Sequence, residues 1–216
     1  MRITWVVLSC VLLAGATGCG LGGHAFGEPD GKEGLARASR ALAEVDDPSV
    51  DFSEQAEAAW QPPFRPANEQ CGRLFDLAEG KAAPASAPAK AASFRGSRLG
   101  ETAGVVLSAY GRAEARQALS DVAGLMRECS VASAKTAGGG DRLVGSALPV
   151  GRIGDGVEAR RFKGRAGGYP YDMHLVVVRS GDMLISLVHT GLARLDPERT
   201  ERLATVLTAK VRESAE

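Results

Sequence analysis

The sequence predicts an α+β fold: an antiparallel β-sheet with packed helices, forming a single domain behind a signal and a flexible tether. Three observations predict it. Two apolar segments, His174 to Arg179 and Asp182 to His189, flank Ser180-Gly181, where glycine supplies the positive φ that a tight hairpin turn requires. Ala113 to Cys129 and the stretch after Asp196 instead repeat apolar residues at helical spacing. The order helix, strand, helix, several strands, helix lacks the regular alternation of a parallel sheet, so the helices pack on an antiparallel one.

The chain opens on Arg2 and an uncharged apolar run from Ile3 to Leu13. Gly15-Ala16-Thr17-Gly18 then directly precedes Cys19. The run is shorter than the ~20 residues a membrane-spanning helix needs, and small residues close it as a cleavage site would. This stretch resembles the signal of bacterial lipoproteins. Residues 1–18 are then a signal peptide, and Cys19 carries the acyl chain, with a palmitate-type lipid anchoring the protein in the bilayer at the extracytoplasmic face of the cell membrane. Ala16 stands where the more typical lipobox has leucine. Secretion with Cys19 as a free thiol and an uncleaved anchor are the alternatives.

Basic and acidic residues balance at 26 each, and removal of Arg2 leaves one acid in excess. That balance argues against a general polyanion binder, so no nucleic-acid partner is expected. Arginine outnumbers lysine 20 to 6 and Asn68 is the sole asparagine, a bias that points to a GC-rich, actinobacterial source. Of four cysteines, Cys10 leaves with the signal and Cys19 takes the lipid, so Cys71 and Cys129 remain. In an oxidising compartment such a pair most often forms a disulfide bond. A redox or metal role is the weaker reading, because there is no Cys-x-x-Cys and no histidine near either cysteine.

Residues 19–66 read as a tether with short amphipathic helices, and residues 67–216 as the domain. Gly20 to Gly34 is glycine-rich. Leu35 to Val45 places Leu35, Ala38, Leu42 and Val45 on one helical stripe, and Val50 to Trp60 reads as a second helix with Ser53 as its N-cap. Pro62, Pro63 and Pro66 stop it. A helix opening at Cys71 ends at Gly80. Lys81 to Ser93, rich in Ala, Pro and Ser, reads as a mobile loop. Thr102 to Tyr110 is a strand, Ala113 to Cys129 a helix that turns Cys129 inward, and Gly138-Gly139-Gly140 a turn. Arg142 to Val150 and Gly156 to Lys163 are strands. Asp196 and Pro197 start a last helix whose core stripe is Leu203, Val206, Leu207 and Val211.

The hairpin is apolar on both faces, with Val176, Val178, Met183, Ile185 and Leu187 on one and Leu175, Val177, Leu184 and Val188 on the other. It is therefore a central element, and its second face needs a cover: the N-terminal helices, a ligand or a partner.

A strand and helix ending in cysteine (GVVLSAY, AEARQALSDVAGLMREC), an upstream cysteine, and a late hairpin (HLVVVRSGDMLISLV) running into a terminal helix resemble the extracellular sensor domain of PknH-type receptor kinases. The same domain occurs alone in actinobacterial lipoproteins. The resemblance covers Cys71 to the end. It implies that Cys71 and Cys129 form the family's first disulfide, that a cleft lies over the sheet, and that the role is sensing or ligand binding without catalysis. The family's second disulfide has no counterpart here, Met173 and His189 standing near its expected places.

His174 and His189 could face each other as half a metal site, but two ordinary strand histidines are the favoured reading. No Gly-x-Ser-x-Gly elbow is present, and Gly151 to Gly156 (GRIGDG) reads as a plain turn rather than a phosphate loop. Neither an enzyme nor a cofactor is expected. The concentrated cations, Arg160, Arg161, Lys163 and Arg165, with the adjoining loop Gly167 to Tyr171, make the candidate ligand site. Arg161, Lys163, Tyr169 and Tyr171 would hold an amphipathic envelope ligand, acidic head at Arg161 and apolar body on the hairpin's second face. A solvated edge strand, or docking of an envelope protein, would use the same residues.

Overall fold

Strand β7 (Tyr169–Ser180) and strand β8 (Met183–Gly191) form the hairpin, and they occupy the middle of an eight-stranded sheet. The computed structural model describes residues 33–34, 36–37, 40–41, 52–56, 59–81, 87–135 and 140–214. The signal, Cys19, the stripe Leu35, Ala38, Leu42 and Val45, and Gly138-Gly139 lie outside them. Glu33, Gly34, Ala36, Arg37, Arg40 and Ala41 are helical, with Ala41 buried.

The remaining strands are β1 (Phe52–Ala56), β2 (Ala89–Gly96), β3 (Thr102–Ala109), β4 (Val131–Ser133), β5 (Arg142–Ala147) and β6 (Gly156–Ala166). Their order across the sheet is β1-β2-β3-β8-β7-β6-β5-β4, with every neighbouring pair antiparallel. Helix α1 (Glu69–Glu79) and helix α2 (Arg112–Glu128) cover one face, and α3 (Pro197–Glu213) covers the other. This is the α+β fold that the element order predicts.

The helix ends follow their local chemistry. Asn68 Oδ1 accepts the Cys71 N–H at 3.0 Å, and Gly80 ends α1 at φ 84°. Asp196 caps the Glu198 N–H at 3.0 Å with Pro197 in the first turn. Cys71 and Cys129 are fully buried and disulfide-bonded, tying the first turn of α1 to the C-cap of α2.

Two predicted elements are replaced by strands. Residues 52–56, expected within a helix capped by Ser53, pair with β2, and the register shifts between Phe52 and Glu54. Ala89 to Ser93, expected in a mobile loop, belong to β2 and pair with β3; Ala82 to Ser86 lie outside the described residues. The side chain that holds β2 down is Phe94, one residue past the low-complexity run and 6% exposed. Strand β3 is apolar on both faces and offers an edge of unpaired backbone groups, which β2 satisfies and β1 in turn closes over.

Both faces of the hairpin have the predicted membership. Val176, Val178, Met183, Ile185 and Leu187 pack with Leu203, Ala204, Leu207 and Val211 of α3. Leu175, Val177, Leu184 and Val188 pack with Leu74 and Phe75 of α1 and Val122 and Met126 of α2. The ligand pocket expected over the second face is thus filled by helices. Two long helical stripes remove more apolar area from water there than a small ligand could. The hairpin's two loop residues are Gly181 and Asp182, with Gly181 at φ 62°, one place later than the sequence suggests. Gly104 on β3 is required by contact: a Cβ there would lie 2.4 Å from Cβ of Trp60.

Candidate functional site

Register decides what the polar residues of the central strands can touch. Arg161 stands opposite His174, and Lys163 opposite Asp172, so all four share the α3-facing side of the sheet. Asp172 is 3% exposed. It accepts from Nε of Arg161 at 2.9 Å and from the Leu195 N–H at 3.1 Å, and a second Arg161 nitrogen makes the pair bidentate. Donation of hydrogen bonds to Asp172 pushes the Arg161 pKa up, and burial of the guanidinium opposes it. Arg161 is accordingly occupied: it neutralises a buried acid that fixes the loop entering α3.

Beside this pair runs a second polar chain. His174 and His189 are cross-strand partners, and both rings are fully buried. Their Nδ1 atoms lie 2.7 and 2.8 Å from the hydroxyl of Thr200, in the first turn of α3. His189 Nε2 is 2.9 Å from Glu101, whose carboxylate also takes the Arg98 N–H at 3.1 Å and pairs with Arg199 at 3.1 Å. Phe52 closes the end of the chain, edge-on to His189 and beneath the Arg199 guanidinium. Desolvation drives the His174 pKa down to about 4 and lowers that of His189 too, against the pull of the neighbouring carboxylates.

Glu101, His189 and Thr200 have the acid, imidazole and hydroxyl order of a nucleophilic triad. Thr200, however, is fully buried and its oxygen is shared by two imidazoles. What the arrangement does is tie α3 to β3, β7 and β8. Glu101, Asp172 and Thr200 were not singled out from sequence. The available signals were acids at the edges of apolar runs, and a threonine three residues before Leu203 on the buried stripe of α3.

The four expected ligand contacts do not converge. Lys163 is exposed on the α3 side with Arg161. Tyr169 and Tyr171 alternate onto the opposite side, with Tyr171 against the cluster that α1 and α2 cover. GGYPY is not a loop: Gly167 and Gly168, at φ 58° and 81°, make a hairpin turn, and Tyr169 starts β7. Tyr169 is 66% exposed. Tyr171 is half-buried, its pKa raised by burial while hydrogen bonds to Thr190 and Trp60 oppose the shift. Met173 pairs with Thr190 rather than with His189, so the two positions near the family's second disulfide point to opposite faces. The GRIGDG stretch is a turn: Asp155 accepts the Gly181 N–H at 2.7 Å, a bond that holds its carboxyl below the ordinary range.

An open cleft lies instead between α1 and α2. It measures about 200 Å³ and is lined by Arg73 and Leu77 of α1, Tyr110 after β3, and Ala118, Asp121, Val122 and Leu125 of α2. Burial raises the pKa of Tyr110, with Ser108 as its hydrogen-bond partner. A depression of about 400 Å³ on the outer side of α3 has described walls from that helix alone, chiefly Glu198, Glu201 and Arg202.

No protein-family model matches the chain, and no curated protein matches it. Among solved structures, a Mycobacterium smegmatis protein, the Rv0999 ortholog, is similar over 66% of this chain and 75% of its own at 16% identity and a TM-score of 0.42. The extracellular domain of PknH from Mycobacterium tuberculosis is similar over 83% of this chain and 96% of its own, at 10% identity and a TM-score of 0.60, and with it this chain shares its fold.

Proposed function

We propose that this protein is a membrane-anchored extracytoplasmic lipoprotein whose domain binds or senses a small ligand without catalysis, in the cleft between α1 and α2. The observation that carries the reading is that the two helices walling the cleft are the two joined by Cys71–Cys129. A cross-link at the ends of both walls holds them at a fixed separation, so a ligand meets a preformed surface and little ordering cost. Leu77, Ala118, Val122 and Leu125 offer an apolar body to the cleft, and Arg73, Asp121 and the Tyr110 hydroxyl supply its polar contacts. At about 200 Å³ it is smaller than the ~300–1,000 Å³ of drug-sized sites. A small amphipathic molecule of the cell envelope fits that chemistry. The signal-like start and Cys19 support the anchor, and the shared fold supports an extracytoplasmic setting. Among the described residues no helix is long and apolar enough to cross a membrane.

The test is native mass spectrometry of the purified protein for a copurifying small molecule, beside an Ala118→Trp variant that fills the cleft from its partly buried wall. A bound species lost from the variant is expected. An equal load in both proteins, or none in the native one, rejects the cleft. Separately, Cys19→Ala should abolish metabolic labelling by a palmitate analogue and leave the precursor uncleaved; unchanged labelling rejects the anchor.

A further inference from the structure

Three of the four exposed large apolar side chains among the described residues sit at one end of the sheet: Leu99 at 87% exposure, Tyr169 at 66% and Leu192 at 41%. Register places them there. The β2–β3 turn carries Leu99, the β6–β7 turn leads into Tyr169, and Leu192 follows β8, which at this end pairs Thr190 with Thr102 and Gly191 with Asp172. Leu192 lies against Gly100, where an added Cβ would be 2.7 Å from its Cγ, so Leu99 and Leu192 belong to one patch. Around them Arg98, Arg165 and Arg194 are exposed.

Two acids of the same end are withdrawn. Glu101 and Asp172 are each 3% exposed and engaged, Glu101 by His189 and Arg199 and Asp172 by Arg161. At the start of α3, part-exposed Asp196 and exposed Glu198 both face Arg202, at 4.0 and 3.9 Å, and Asp141 before β5 is part-exposed. The outer surface thus presents apolar tips among the exposed guanidinium groups of Arg98, Arg165 and Arg194, while Asp196 and Glu198 face Arg202. This is the chemistry of a protein surface seated on anionic headgroups, with side chains reaching the acyl boundary and cations on the phosphates. Leu99 and Leu192, which adjoin, make an apolar patch that such a surface would cover.

From this arrangement we infer that the end of the sheet bearing Leu99, Tyr169 and Leu192 docks on an anionic phospholipid surface and sets the orientation of the domain above the membrane. The inference rests on the membrane-anchored reading, since a tethered domain stays beside a leaflet, but it concerns a separate surface from Cys19 and from the cleft. Docking here leaves the α1–α2 cleft, on the face of the sheet, open to the aqueous side.

Hydrogen exchange of the full chain tests it, on vesicles of phosphatidylcholine alone and on phosphatidylcholine with phosphatidylglycerol. Amides of the turns at 97–101 and 167–169 should slow on the anionic vesicles and not on the neutral ones. Because each cation near an anionic leaflet adds roughly fivefold to affinity, the variant Arg98→Glu, Arg165→Glu, Arg194→Glu should lose at least about a hundredfold in the docking equilibrium, and with it the turn-specific protection. It should do so while remaining vesicle-bound through its N-terminal segment, which separates failure of docking from failure of the anchor. Leu99→Asp with Leu192→Asp should act likewise. Equal protection on both vesicle types, no protection on either, or concentration-dependent protection without vesicles, which would mark a protein interface, overturns the inference. All five positions are exposed, so thermal unfolding of both variants should match the parent and serve as the folding control.

Discussion

His174 and His189 stand opposite each other across β7 and β8, and both direct Nδ1 at one oxygen, the Thr200 hydroxyl, from 2.7 and 2.8 Å. The hydroxyl has one proton and three neighbours, the third being the Asp196 carbonyl at 3.3 Å; with both rings neutral it donates to His189 and accepts from His174. With His189 Nε2–H donating to Glu101, His189 Nδ1 takes the Thr200 proton and His174 Nδ1–H donates to Thr200. His174 Nε2 is left without a hydrogen-bond partner, 3.9 Å from Asp172. Burial lowers both imidazole pKa values and so favours neutral rings, which then carry their protons on different nitrogens, His189 on Nε2 and His174 on Nδ1.

Removing that shared oxygen should loosen α3. Thr200→Val keeps the shape but strands two buried ring nitrogens, at a cost of roughly 2–6 kcal/mol from about 1–3 for each unsatisfied group. Thr200→Ser keeps the oxygen and should lose about 1 kcal/mol or less. Urea unfolding of the two variants checks this, and equal losses would show that the hydroxyl is not what holds the helix.

Acid should weaken the fold before the carboxylates titrate. The unfolded chain binds a proton at His174 near pH 6.5, whereas the folded chain resists until about 4. Between those values the unfolded state holds more protons, so stability is whole above about pH 6.5 and falls as pH drops toward 4. The full window amounts to about 3 kcal/mol, from ~1.4 kcal/mol per pH unit, and the lowered pKa of His189 works in the same direction. Denaturant midpoints measured from pH 7.5 to 4.5 should decline, and less steeply in His174→Gln. A flat profile contradicts it.

Arg161 reads from sequence as the contact for a ligand's acidic head. In the structure its side chain is 17% exposed and its carboxylate partner 3%. Arg161→Glu should therefore destabilise by about 3–5 kcal/mol, the usual result of leaving a buried charge unpaired. Lys163→Glu, exposed on the same face, should change stability by less than about 0.5 kcal/mol. Thermal unfolding separates the two, and an Arg161 variant as stable as the Lys163 variant would remove the ion pair from the account.

The Cys71–Cys129 bond closes a loop across 58 residues. On the chain-entropy relation its loss should cost about 4 kcal/mol, felt largely in the unfolded state. Cys71→Ser with Cys129→Ser should lower the urea midpoint accordingly, and non-reducing peptide mapping should recover the two cysteines joined. Two free thiols in exported protein would contradict the bond.

Whatever depended on neighbours in the chain was determined by the sequence alone. The two-sided hairpin, the stripes of α2 and α3, the caps at Asp196 and Gly80, and the pairing of the two leftover cysteines follow from periodicity, from the conformations open to glycine and proline, and from counting. Tertiary structure decided what those elements face. Phe52–Ala56 and Ala89–Gly96 have little strand character of their own and became strands because the edge of β3 required backbone partners. Glu101 meets His189, and Arg161 meets Asp172, only because the register of β3, β8, β7 and β6 brings them onto one side of the sheet. Alternation in the sequence says which residues share a face of a strand. It cannot say which helix will cover that face, and it is that cover which turned an expected ligand contact into a structural ion pair and placed the open cleft between α1 and α2.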